Sequence, residues 1–225
     1  MISKLPRWVE YGAFVLAFVA GNVNAVGLMG FQHQSISHLS GTATLLGTGL
    51  VSGTLNNAMH LLGVLLSFLC GAAISGVFLS SGALKLGRHY DSLLALEGGL
   101  LLLSIYFLNN GSLLGHYTAS AACGLQNALV STYSGAVVRT THVTGIFTDL
   151  GLMLGAKLRG AGFDRRKALL FILIIFGFIL GGSLGAYLFS QWQFFALGLP
   201  AGMCLILALG YRVYRVAALQ KLRAS

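Results

Sequence analysis

Acidic side chains are scarce: aspartate and glutamate together number 5 in 225 residues, against 14 lysines and arginines, and charged residues make up 8% of the chain. Soluble proteins average about 25%. A chain of this length with so few charges cannot cover the surface of a soluble domain, and its long apolar runs make it a membrane protein's sequence. Cysteine is scarce too. Cys70, Cys123 and Cys204 stand singly in apolar segments without CxxC or metal-site spacing, and read as small buried hydrophobes. There is no nucleotide-binding loop, HxxxH, His–carboxylate cluster or carboxylate pair at glycosidase spacing. ATP-driven transport by this chain alone is therefore not expected, nor is a cofactor or a metal site. The net charge of +9 does not point to nucleic acid. The basic residues lie between hydrophobic runs rather than in a stripe interleaved with aromatics, and read as topology signals.

What is present is apolar: 56% of the residues are hydrophobic. Long apolar segments at 8–29, 56–80, 90–109, 115–137, 166–189 and 193–215 each approach the roughly 20 residues a helix needs to cross a bilayer. The N-terminal stretch starts like a signal peptide, but its apolar run continues to Gly30 without a cleavage site, so it reads as a retained first transmembrane helix. Lys4 and Arg7, Lys85 and Arg88, the group from Lys157 to Lys167, and the group from Arg212 to Arg223 flank these segments. The positive-inside rule puts all four clusters, and both termini, in the cytoplasm. Connections near 53–56, 109–114 and 190–193 have no Lys or Arg and suit the external face.

Two shorter segments, 38–52 and 141–157, are helix-like, Gly-rich and polar on one side, and they share a motif. SHLSGTATLLG at 37–47 and THVTGIFTDLG at 141–151 are identical at five of eleven positions. GNVNA at 21–25 and GLQNA at 124–128 form a second matched pair; Asn24 and Asn127 correspond at an offset of 103, His38 and His142 at 104. A nearly constant offset means duplication. The expected fold is an all-α integral membrane protein occupying residues 1–225 as a single membrane domain. Its six transmembrane helices form two inverted three-helix repeats, 8–109 and 115–215, each with a short re-entrant or broken helix. Eight spans, two of them unusually short, is the competing geometry. Inverted repeats recur in transporters and channels, with the ligand site at their interface.

The motif suggests its own chemistry. Ser37 and Thr141 are placed to be N-caps of helices that start inside the membrane, where unpaired N–H groups must face protein, water or a ligand. Helical spacing puts Ser37, Ser40, Thr44 and Thr48 on one face, and Thr141, Thr144 and Thr148 on the equivalent one. These hydroxyls either line a path or pack closely beside the small residues Gly41 and Gly145, or Gly47 and Gly151. His38 and His142 are either hydrogen-bonded packing residues or groups for proton transfer, gating or substrate contact. Asn24 and Asn127 either contact a solute or bond between helices. Glu97, Arg139 and Asp149 are the candidates for charge or proton coupling. Arg139 attracts an anion, neutralises Asp149 or Glu97, or snorkels from a cytoplasmic flank. Asp149, two turns after His142, would face the same way, while Glu10 and Asp91 read as interfacial.

At GNVNAV with SGTATLLG, and at GLQNA with TTHVTGIFTDLG, the chain resembles the YoaK-type family of bacterial membrane proteins, a family of unknown function. The resemblance covers roughly 8–215 and implies a multi-span inner-membrane protein. Many members have an acidic residue at the position of Asn24 and an Asn at that of Thr42, so this chain departs from the pattern there. The reading is a transporter or channel for a small polar or anionic solute, with the solute and the lipid bilayer as partners, self-association left open and nucleic acid excluded. Two alternatives are an intramembrane enzyme using the histidines with Asp149, and a structural or sensory membrane subunit.

Overall fold

The structure is a computed structural model that describes residues 8–30, 36–79, 89–134 and 138–224. Among these residues the regular elements are helical: α1 (Trp8–Gly30), α2 (Leu39–Ser52), α3 (Leu55–Phe78), α4 (Tyr90–Asn109), α5 (Leu114–Ser134), α6 (Val143–Leu158), α7 (Arg165–Trp192), a 3₁₀ turn (Gln193–Leu197) and α8 (Gly198–Ala224). The basic clusters at Lys4 and Arg7 and at Lys85 and Arg88 lie outside the described residues. Gly111 and Gly160, at φ of 68° and 84°, end α4 and α6 in the left-handed conformation that glycine adopts without steric penalty.

Among the described residues four stretches are long and apolar enough to cross a membrane: α1, α3, α4 and Arg165–Ala217, which holds α7, the 3₁₀ turn and most of α8. The apolar helices point to a membrane protein. α5, expected as a fourth span, is not among them. It carries His116, Thr118, Ser120, Gln126 and Asn127, and from Gly115 to Thr132 none of its residues is exposed. A helix enclosed by other helices satisfies its polar groups within the protein: Ser120 donates to the Val64 carbonyl at 2.8 Å, and Gln126 to that of Leu16 at 3.3 Å. The outer faces of α3, α7 and α8 show the reverse pattern, with Leu66, Leu69, Ile172, Phe176, Ile206 and Leu209 exposed, as lipid-facing side chains would be.

Contacts fix the helix directions. Phe14 meets Gly177, Phe18 meets Gly181 and Asn22 meets Gly185, so α1 and α7 are parallel. Val64 with Ser120 and Phe68 with Gly124 make α3 and α5 parallel as well. Asp91 with Arg215 and Gly98 with Ala201 make α4 and α8 antiparallel. Gly30 rests on Phe189 and Phe194, which brings the end of α1 to the 3₁₀ turn. Thus α1, α4 and α7 run toward that turn, and α3, α5 and α8 run away from it.

The two parallel crossings are built alike. On α1 and α7, Gly21 faces the Phe178 carbonyl and Gly181 that of Phe18; on α5 and α3, Gly124 faces the Phe68 carbonyl and Gly71 that of Ala121. Residues 18 and 21 map onto 121 and 124 at an offset of 103, and 68 and 71 onto 178 and 181 at 110. Glycine is required because backbones in contact leave no room for Cβ, the close approach through which membrane helices associate.

The end away from the 3₁₀ turn is the charged one. Arg166 Nε donates to Glu10 at 2.7 Å, joining the starts of α7 and α1, and Arg215 pairs with Asp91 at 3.1 Å, joining α8 to α4. Both acids, read from the sequence as interfacial, lie in the first turns of their helices, and Asp91 is 6% exposed because α8 covers it. Exposed Trp8, Tyr11 and Tyr214 ring this end, and Tyr106, Tyr187 and Trp192 the other, the placement of interfacial aromatic belts. Arg215→Met leaves a buried carboxylate without its cation. It should lower stability in detergent by about 1–2 kcal/mol, discounted for the partial exposure of the arginine, with part of the loss recovered by adding Asp91→Asn. Thermal unfolding of the single and double variants checks this.

Candidate functional site

The segments that lead into α2 and α6 meet beside Phe68, near the middle of α3, and line an open cavity of about 620 Å³. Ser37, His38, Leu39 and Ser40 line it from one side, and Asn127, Ser131, Arg139, Thr141, His142 and Thr144 from the other.

Both segments are anchored in the same way. Ser37 Oγ donates to Asn24 Oδ1 at 3.0 Å and Thr141 Oγ1 to Asn127 Oδ1 at 3.1 Å. The Ser37 backbone N–H also points to Asn24 Oδ1 at 3.4 Å, so that atom is the acceptor and the amide orientation is settled by its partners. This corrects the expected capping. His38 and His142 occupy the N-cap positions of α2 and α6, and neither makes a side-chain cap bond. The hydroxyls one residue earlier turn back to asparagines on α1 and α5, burying Ser37 and Thr141 to 5% exposure each.

The expected hydroxyl stripes do not continue into the cavity. Thr44, Thr48 and Thr148 are exposed and donate to carbonyls of their own helices, Ser40, Thr44 and Thr144, at 2.9, 3.1 and 3.0 Å. A threonine one turn along a helix reaches its own backbone more readily than a neighbour. Of the motif glycines offered for close packing, Gly145 lies against the His142 ring, whereas Gly41, Gly47 and Gly151 meet none of the described residues where a Cβ would stand. Cys123 and Cys204 are buried as expected, but Cys70 is exposed on the outer face of α3.

The two histidines are held differently. His142 rests on Gly145, whose missing Cβ leaves room for the ring, and Arg139 Nη1 lies 3.4 Å from its Nδ1. Because a guanidinium can only donate, Nδ1 is the acceptor in that contact. His38 instead sets its ring edge-on to Phe178 at 5.6 Å. Gly145→Ala should therefore displace the His142 ring, whereas Gly41→Ala should leave His38 in place. Histidine ¹H–¹⁵N spectra of the two variants check this through a shifted His142 signal and an unchanged His38 signal.

Arg139 faces His142 rather than the acids proposed for it. Asp149 is half-exposed on α6 and does not line the cavity, although His142 does. His142 precedes the helix as its cap, so the two-turn spacing does not carry it onto the face of Asp149. Glu97 is 2% exposed among α4, α5 and α8, hydrogen-bonded to Cys204 and away from the cavity.

One cluster had no sequence signal. His60 Nε2 lies 3.0 Å from His116 Nδ1, and His60 Nδ1 lies 3.2 Å from the Tyr117 hydroxyl, joining α3 to α5. These histidines are 56 residues apart, and only the α3–α5 crossing brings them together. Among the described residues no group of three or more His, Cys, Asp or Glu side chains could hold a metal ion.

No curated protein and no solved structure matches the chain. A family model does match, over residues 12–210, nearly the whole of the helical array and both segments of the cavity. The chain belongs to the DUF1275 family, described as a protein of unknown function.

Proposed function

We propose that the protein conducts or carries a small polar or anionic solute across a bacterial inner membrane. Its two halves, 8–109 and 115–215, would be inserted upside down relative to one another, with α2 and α6 re-entrant. The observation that carries this reading is the shared cavity, since equivalent motifs 104 residues apart contribute to one space. The helix directions support inversion: α1 runs opposite to its counterpart α5, α3 opposite to α7, and α4 opposite to α8. Helix length supports re-entry. α2 has 14 residues and α6 has 16, so at about 1.5 Å per residue neither covers about 30 Å of hydrocarbon. The charged end supports cytoplasmic termini, and the YoaK-type resemblance supports the bacterial inner membrane.

The halves are not packed alike. α4 lies closely against α5, while the equivalent pair α8 and α1 touch sparingly beside an apolar cleft of about 210 Å³. Two equivalent interfaces, one closed and one open, favour a carrier whose halves exchange conformations over a fixed pore. The test is solute uptake into proteoliposomes, comparing the parent with Ser37→Ala/Thr141→Val. The reading expects uptake above that of empty vesicles and its loss in the double variant. Uptake equal to empty vesicles across small polar and anionic solutes would overturn it.

A further inference from the structure

The chemistry of the cavity wall narrows the solute class. Among the described residues that line the cavity, one is a permanent cation, Arg139, and none is an acid. Asp149, the nearest carboxylate in sequence, is on α6 but outside the wall. A cavity whose described lining has one fixed positive charge and no acid favours an anion and opposes a cation. The remaining polar groups agree. His38 and His142 have imidazole rings on the wall, and Asn127, whose Oδ1 already accepts from Thr141, keeps its amide N–H groups to donate. The starts of α2 and α6 add to the same field. Neither cap side chain bonds to the first turn, and Leu39, Ser40 and Thr144 of those turns line the cavity, so two positive helix ends converge on one space.

The field is also polarised. Among the described lining residues the fixed charge stands beside His142, and none stands beside His38. Arg139 lies beside His142, and its donation to Nδ1 sets the neutral ring as the Nε2–H tautomer, a second donor at the same end.

We propose that the solute is a small anion of the carboxylate or oxyanion class, with its charged group held at the Arg139–His142 end of the cavity. This rests on the solute-conducting reading above and specifies the solute's charge. A planar two-oxygen anion suits a guanidinium, which can donate to both oxygens at once.

The test uses near-isosteric probes that differ in charge: formate, formamide and formamidinium, and the corresponding acetate, acetamide and acetamidinium. Each is measured for stabilisation of the purified protein and for uptake into proteoliposomes at neutral pH. The expected result is concentration-dependent stabilisation by the anions, with apparent affinity at least about tenfold tighter than for their amides, and none by the cations. Arg139→Gln, at an exposed position, should lose that tenfold preference and bind anion and amide alike, whereas Arg139→Lys should retain part of it. Amides that bind and enter as well as anions, with no effect of Arg139→Gln, would overturn the assignment of charge while leaving the solute pathway standing. Preference for the cations would also overturn it. Absence of both binding and uptake for every probe would overturn the pathway and this inference together.

Discussion

Gly71→Leu and Gly124→Leu are expected to abolish recovery of folded protein. Each places a side chain into the backbone carbonyl of the opposing helix, Ala121 for Gly71 and Phe68 for Gly124. A flexible side chain could move aside; a carbonyl inside a helix cannot move without separating α3 from α5. The cost should exceed about 3 kcal/mol, the upper end of ordinary overpacking. Because α1 and α7 cross in the same way, Gly21→Leu and Gly181→Leu should be equally damaging. Gly76→Ala and Gly99→Ala, on α3 and α4 with open space at Cβ, serve as controls, and should stay within about 0.5 kcal/mol of the parent or become more stable through higher helix propensity. Size-exclusion profiles and thermal unfolding in one detergent separate the two sets. Normal profiles for Gly71→Leu and Gly124→Leu would contradict the packing described.

Asn24→Leu should cost more than Asn127→Leu, although the sequence treats the two positions alike. Asn24 Oδ1 accepts from both the Ser37 hydroxyl and the Ser37 N–H, whereas the bond at Asn127 is from the Thr141 hydroxyl. Removing an acceptor strands buried donors. The expected losses are about 2–3 kcal/mol for Asn24→Leu and about 1–2 kcal/mol for Asn127→Leu. Both variants should also release the segment that leads into a short helix, lowering solute uptake at least about tenfold even where the protein stays folded. Denaturation midpoints rank the stabilities, and uptake per folded protein isolates the second effect. Equal stabilities would mean that the Ser37 N–H contributes little.

Much of this architecture is legible in the sequence, for reasons that differ by element. The outer helices α3, α7 and α8 announce themselves because lipid demands apolar side chains over a fixed length. α5 is readable as a helix, but its polarity makes sense only once α3 and α4 enclose it. The duplicated motif and the two asparagines are visible as matched pairs because a constant offset survives in one dimension. That each asparagine anchors the hydroxyl before each short helix is not visible, since the bond closes across 13 or 14 residues through the turn of the chain. The same limit explains the misplaced caps: local preference favours Ser and Thr as N-caps, while a buried amide competes for the same hydroxyl and wins. Small residues at four-residue spacing in 177–185 mark the α1–α7 crossing in the sequence, whereas three of the four motif glycines have open space at Cβ. The contact between His60 and His116 depends wholly on helix pairing, and neither residue stands in a recognisable pattern.

The most direct test of one site built by two halves is substituted-cysteine labelling in proteoliposomes. Ser40→Cys and Thr144→Cys, exposed positions on opposite walls of the cavity, are introduced singly with the exposed Cys70 changed to alanine, and modified by a membrane-impermeant thiol reagent with and without formate. The account predicts that both cysteines react and that formate slows both, Thr144→Cys more than Ser40→Cys, because the anion sits at the Arg139–His142 end of the space between them. Protection of one cysteine alone, or of neither while formate still stabilises the protein, would show that the two motifs do not share a site.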